Sequence, residues 1–168
     1  LGRALLAAGR AHEAVSALKE ATRLRSATQS GGWAGEARQE LARAEIAAGD
    51  LLAARASAEL AYREVPALDM LSRTTSATAL AMVREAEGTV ADADRLHREA
   101  LAVNERTGFQ LRENEARLEY ARFLLRQGRA NEARPLLEHV RDFFAHPFVI
   151  KRRHEAEELL RRCDQVRA

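Results

Sequence analysis

The feature that most constrains this chain is a glycine that returns at an almost fixed interval. Gly9, Gly49, Gly88 and Gly128 are spaced 40, 39 and 40 residues apart. Each stands in the same punctuation: Ala8-Gly9-Arg10, Ala48-Gly49-Asp50, Glu87-Gly88-Thr89 and Gln127-Gly128-Arg129. A glycine at this kind of position ends one helix in a left-handed turn, at a φ that side-chain-bearing residues adopt only at a cost. Small residues recur around it at fixed offsets. Gly2, Ala42, Ala81 and Ala121 lie seven residues before it, and Ala14, Ala54, Ala93 and Ala133 five residues after it. Ala21, Ala61, Ala100 and Val140 lie twelve after it, while Leu1, Leu41, Leu80 and Tyr120 lie eight before it. Small side chains at such points let two helices approach to the short end of the roughly 8–10 Å range, with the larger column filling the space between them.

The pattern predicts an all-α chain. Ala, Leu, Glu and Arg dominate, prolines number three, and no stretch alternates apolar and polar residues over β-branched positions. Four helix pairs follow, over about 1–8 with 11–25, 33–48 with 51–65, 71–87 with 90–107, and 110–127 with 130–144. A capping helix over 148–166 would expose charges on its outer side and bury Ile150, Leu159, Leu160 and Val166. Ser30-Gly31-Gly32, Pro66, Thr107-Gly108 and His146-Pro147 mark the linkers. Pro135 fits only if its helix starts near Asn131, which puts the ring at the end of the first turn.

The glycine spacing, the pair Leu1-Gly2, and Gly9, Ala14, Leu18 and Ala21 closely resemble the signature of the tetratricopeptide repeat (TPR). That repeat is 34 residues long, whereas the period here is about 40. The Gly128-Arg129-Ala130-Asn131-Glu132-Ala133-Arg134 flavour further resembles the sensor region of large ATP-binding LuxR-type bacterial regulators. The resemblance implies a right-handed α-α superhelix of about four TPR-like antiparallel pairs plus the capping helix. It implies one solenoid domain over 1–168, with repeats near 1–26, 33–65, 68–107 and 109–145 and the cap over 147–167. The chain opens at Leu1 within a helical pattern and reads as a piece of a longer protein.

In such solenoids the first helix of each pair lines the concave face. The resemblance therefore places Glu36, Gln39, Glu40, Arg43 and Ile46 in a groove, with Thr75, Thr78, Met82 and Glu85 from the third repeat and Glu115, Glu119, Arg122 and Leu125 from the fourth. Acids, arginines, hydroxyls and one Met can hold a peptide by charge-assisted bonds and a few apolar contacts. The plainer reading is an ordinary solvated face on a spacer. The Lys and Asn pattern of carboxylate-clamp repeats is missing, so binding of chaperone tails is not implied.

Charge narrows the partners. Basic residues number 27 and acidic ones 25, and they are interleaved, as in Arg152-Arg153-His154-Glu155-Ala156-Glu157-Glu158. A nucleic-acid face shows a one-sided basic stripe instead, so direct nucleic-acid binding is not expected. No apolar run approaches a membrane span and no signal peptide is visible, which points to a cytoplasmic protein. The lone Cys163 permits no internal disulfide and no cysteine-based metal site.

No catalytic signature stands out. The Gly-x-x-x-x-Gly-Lys loop and the Gly-x-Ser-x-Gly elbow are both missing, and His154-Glu155 lacks a second zinc-binding histidine. His139, His146 and His154 lie close in sequence. They read either as exposed histidines near a helix junction or as a metal site, and the plainer reading predicts no metal and no other cofactor. His97 takes the place of Leu18, Ala58 and Leu137, nine residues after each glycine, and reads as a buried structural histidine or a pH-sensitive contact. Carboxylates such as Glu13 and Glu132 are expected on solvated faces beside arginines, with Glu115 and Glu119 near Arg122. Cys163 has no evident base beside it. Trp33 either staples its linker to the core or offers an anchor to a partner. The edge formed by Leu1, Leu5, Leu6 and Val15 is expected to support a homodimer.

Three functions compete for such a chain. The first is a protein-interaction and effector-sensing module of a bacterial signalling or transcription regulator, binding a peptide, protein or small effector in the groove. The second is a pure scaffold for self-association. The third, an enzyme at the last pair, requires the histidines to bind metal and is not expected.

Overall fold

The computed structural model describes the backbone of residues 1–27, 31–66, 68–145 and 150–165, and side chains within these outside 25–36, 104–107 and 150–153. The described residues form nine helices and no strand: α1 (Gly2–Ala7), α2 (Ala11–Ala27), α3 (Gly31–Ala47), α4 (Leu51–Glu64), α5 (Met70–Ala86), α6 (Val90–Thr107), α7 (Gln110–Arg126), α8 (Ala130–Phe143) and α9 (Ile150–Gln165). The chain is an all-α helical solenoid of the TPR-like class. It divides into two compact units, Leu1–Thr107 and Gly108–Ala168.

The repeating glycine does what its spacing predicts. Gly9, Gly49, Gly88 and Gly128 have φ of 72°, 80°, 80° and 73°. After α1, the Gly9 N–H donates to the Leu6 carbonyl at 3.0 Å and the Arg10 N–H to Leu5 at 2.9 Å. The same two bonds recur after α3, α5 and α7, as in Thr89 N–H to Arg84 and Arg129 N–H to Leu124. This is the Schellman arrangement, which satisfies carbonyls that the helix end would otherwise leave bare. The following helix starts almost at once. Asp50 caps α4 by accepting from the Ala53 N–H, and Asp69 caps α5 by accepting from the Ser72 N–H, both at 3.0 Å.

The alanine columns lie where the helices touch. Ala42, Ala81 and Ala121 are buried, as are Ala14, Ala54, Ala93 and Ala133. In the first unit one cluster joins Ala42, Ala54, Ala58, Ala79, Leu80, Ala81, Val83 and Leu96, with Ile46 and Tyr62 packed against it. A second joins Ala14, Leu18, Leu41 and Ala44. Leu5, Leu6 and Val15, three of the four residues expected to form an apolar edge, pack against this second cluster, while Leu1 is 89% exposed. In the second unit α8 packs between α7 and α9, and Leu137, Val140, Phe144, Ala156 and Cys163 are buried.

One helix start differs from the sequence reading. α3 begins at Gly31, so Gly31 and Gly32 belong to the helix and not to a linker. α8 begins at Ala130, the start read from the helix pairing, so Pro135 is its sixth residue and its ring lies in the second turn rather than at the end of the first. The proline removes one helical N–H there, and the helix continues because its apolar face is anchored by Ala133, Leu137 and Val140. The expected ends of the cap, Phe148 and Val166, and the His146-Pro147 linker lie outside the described residues.

Candidate protein-interaction face

α3 contributes the first part of the expected groove face. Gln39, Glu40, Arg43 and Ile46 are half-buried on it, and the Glu36 side chain lies outside the described residues. Glu40 pairs with Arg43 one turn on (3.7 Å) and with Arg3 of α1 (3.9 Å). α5 packs beside α3, and its share of the face differs from expectation. Thr75 and Thr78 are buried, and their hydroxyls donate along their own helix, Thr75 to Leu71 and Ser72 and Thr78 to Thr74. The helix is covered on almost every side over 74–81, so these hydroxyls serve packing and not an open surface. Met82 and Glu85 remain half-buried.

In the second unit α7 carries Glu115, Glu119 and Arg122. Glu115 pairs with Arg112 (2.7 Å). Glu119 is buried and takes one guanidinium nitrogen of Arg122. A second nitrogen is held by Glu155 of α9, and Arg122 is left 16% exposed. Arg122 is thus an arginine shared by two carboxylates, one from its own helix and one from the helix beyond. Leu125 is half-buried.

His97 is 1% exposed within α6. His139 and His154 are exposed, and His146 lies outside the described residues. Among the described residues no group of three or more His, Cys, Asp or Glu has the spacing to hold a metal ion. Cys163 is fully buried, and the Trp33 side chain lies outside the described residues. Glu13 and Glu132 do sit on exposed faces, paired with Arg10 and Arg129. Among the described residues no helix is long and apolar enough to cross a membrane.

Three polar clusters tie the helices of the first unit together, and the sequence reading missed all of them. Glu45 of α3 is almost fully buried; it accepts from the Ser57 hydroxyl of α4 at 2.7 Å and lies 3.8 Å from Lys19 of α2. Tyr62 of α4 donates to Glu99 of α6 at 2.7 Å and accepts from Arg73 of α5 at 2.8 Å, whose guanidinium stacks 4.1 Å from the ring centre. Burial first, and then the Glu99 carboxylate, push the Tyr62 hydroxyl above the ordinary phenol range. Arg55, Glu59, Arg84 and Glu87 form a closed ring of ion pairs between α4 and the end of α5. Hydrogen bonds from Arg84 and then Arg55 hold the Glu59 carboxyl below its usual range. A cleft of about 490 Å³ beside this ring is lined by Arg55, Arg84, Glu87, Thr89 and Asp92. The local half of the ring was legible as Arg-x-x-x-Glu and Arg-x-x-Glu spacing; the link from Glu59 to Arg84, 25 residues apart, was not.

No family model matches the chain, and no curated protein matches it. Among solved structures it is similar to a Podosopora anserina chain described as a putative kinesin light chain with nearly identical TPR-like repeats. A single-substitution form of that chain is 26% identical, with the match covering 100% of this chain and 92% of that one, at a TM-score of 0.58. Another structure of that protein is 24% identical at the same coverage, with a TM-score of 0.56, and speaks to the fold alone. The TPR-like fold is a protein-interaction scaffold and generally a non-catalytic one.

Proposed function

We propose that this chain is the interaction and effector-sensing segment of a bacterial multidomain signalling or transcription regulator in the cytoplasm. It binds a peptide, protein or small effector along the first helices of its pairs. The observation that carries this reading is a repeated device. Glu40 with Arg43 on α3, and Glu119 with Arg122 on α7, occupy the same places in their repeats, nine and six residues before the turn glycine. Half-buried arginines held by carboxylates of their own helix are oriented in advance, so a partner loses less side-chain freedom in engaging them. Gln39, Ile46, Met82 and Glu85 supply polar and apolar neighbours from α3 and α5. Glu36, Thr75, Thr78 and Glu115 have weaker claims, the threonines because they are buried.

The test is capture of a partner from host cell extract by the chain and by its Arg43→Glu variant. Arg43 is preferred to Arg122, where a new carboxylate would face Glu119 and Glu155. Loss of the partner with Arg43→Glu supports the face as the working surface. Equal capture by both overturns it.

One observation favours a scaffold that self-associates. Leu1 is exposed beside a cavity of about 210 Å³ between α1, α2 and α3, lined by Leu1, Gly2, Arg3, Ala17, Leu18 and Ala21, among others. A second copy covering this edge would appear as a concentration-dependent dimer in sedimentation velocity, weakened by Leu1→Glu. A monomer at every concentration rules this reading out.

A further inference from the structure

The bridge from α9 to α7 says more about the partner than the expected groove face does by itself. Glu155 lies 33 residues from Arg122 in the chain, and it reaches one nitrogen of that guanidinium while Glu119 holds another. The anchoring of α9 does not depend on this bridge: Ala156, Leu159, Leu160 and Cys163 are buried on the same helix. Glu155 itself keeps about a third of its side chain in solvent. The bridge is therefore an addition to a helix already held by apolar burial, placed on an arginine of the face read above as the working surface.

We infer that Glu155 is an internal stand-in for the ligand, and that the partner of this face in the second unit presents a carboxylate that competes with Glu155 for Arg122. The inference rests on the interaction reading and adds the chemistry of the partner: an acidic segment, offering a Glu or Asp side chain where α9 now offers its own. A carboxylate accepts two parallel N–H bonds from a guanidinium, which a neutral amide cannot do equally well. Because α9 is tethered, Glu155 acts at high effective concentration, and a free acidic partner binds more weakly than the arginine by itself would allow. Arg122 is thus masked at rest. Displacement of one solvent-touching side chain unmasks it and leaves the buried face of α9 in place.

Fluorescein-labelled hexaglutamate serves as the probe, read by anisotropy at low salt, where charge pairing is least screened. Four chains are compared: the parent, Glu155→Gln, Arg122→Gln and the double variant. Removing the stand-in is expected to tighten probe binding about two- to fivefold, a range typical of a partly exposed ion pair. The gain is expected to vanish in the double variant. Glu155→Ala, which keeps a good helix former at that position, gives the same comparison if the amide disturbs α9, with circular dichroism reporting the fold. Unchanged or weaker probe binding by both Glu155 variants overturns the inference, and so does a gain that survives loss of Arg122. If partner capture ignores Arg43→Glu while the Arg122-dependent gain is present, the α3 share of the proposed face fails and the competition at Arg122 stands. The reverse pattern removes this inference alone.

Discussion

Consider Ser57→Ala, a change of a single oxygen on α4. Its hydroxyl donates at 2.7 Å to Glu45, whose side chain is only 2% exposed, and also lies near the Ala53 and Ala54 carbonyls of its own helix. The other charged neighbour, Lys19, stands 3.8 Å away and is more than half exposed, so water screens it. Removing the hydroxyl leaves a buried carboxylate without its short bond. A hydrogen bond to a charged group contributes about 1.5–3 kcal/mol, and the orphaned partner carries the larger part of the penalty. We expect Ser57→Ala to cost about 2 kcal/mol, which in a chain of this size lowers Tm by roughly 4–8 °C. Glu45→Leu combined with Ser57→Ala removes both polar partners at once and should cost far less than the two single changes added together. Urea unfolding of the four chains gives the coupling energy directly. Additive losses, with no coupling beyond about 0.5 kcal/mol, would refute the claim that the buried carboxylate depends on this serine.

Further outcomes follow from other places in the fold. Gly2→Ala drives a Cβ into the Leu18 side chain, well inside van der Waals contact with its Cγ, so it should cost about 1–3 kcal/mol by overpacking, and Leu18→Ala should rescue most of that loss in thermal melts. Gly49→Ala meets no atom within 4 Å but must hold φ +80°, so it should cost about 1 kcal/mol and show no such rescue. The Tyr62 hydroxyl titrates above its unfolded value of about 10. Its contribution is therefore complete below that pH and lost as pH rises through the folded value. Unfolding at pH 8 to 11.5 should show a falling alkaline limb that Tyr62→Phe flattens, and an unchanged limb would count against the Tyr62–Glu99 bond. Pro135→Ala restores an N–H in the second turn of α8, and should raise stability by about 1–2 kcal/mol after the unfolded chain's extra freedom is subtracted.

The sequence by itself determined the class of fold and the positions of the helix ends. Gly9, Gly49, Gly88 and Gly128 end helices because a positive φ is a property of one residue and its immediate neighbours. The alanine columns mark helix contacts because close approach requires small side chains wherever it occurs. Both signals are short in range and repeat four times, so they survive without coordinates. The start of α3 and the passage of α8 through Pro135 were less legible. Two glycines at Gly31-Gly32 and a proline at Pro135 oppose helix locally, and the helices run through them, in α8 because the apolar burial that holds the helix comes from elsewhere in the chain. Thr75 and Thr78 were misplaced on an open face for the same reason, since repeat register states which way a residue points but not whether a neighbour covers it. Only the tertiary structure decided that Glu45 meets Ser57, that Tyr62 meets Arg73 and Glu99, and that Arg122 is already held by Glu155. These pairs are separated by 11 to 37 residues, and no local propensity selects them. They follow from which helix faces are brought together, and that is set by the burial of all the small residues at once.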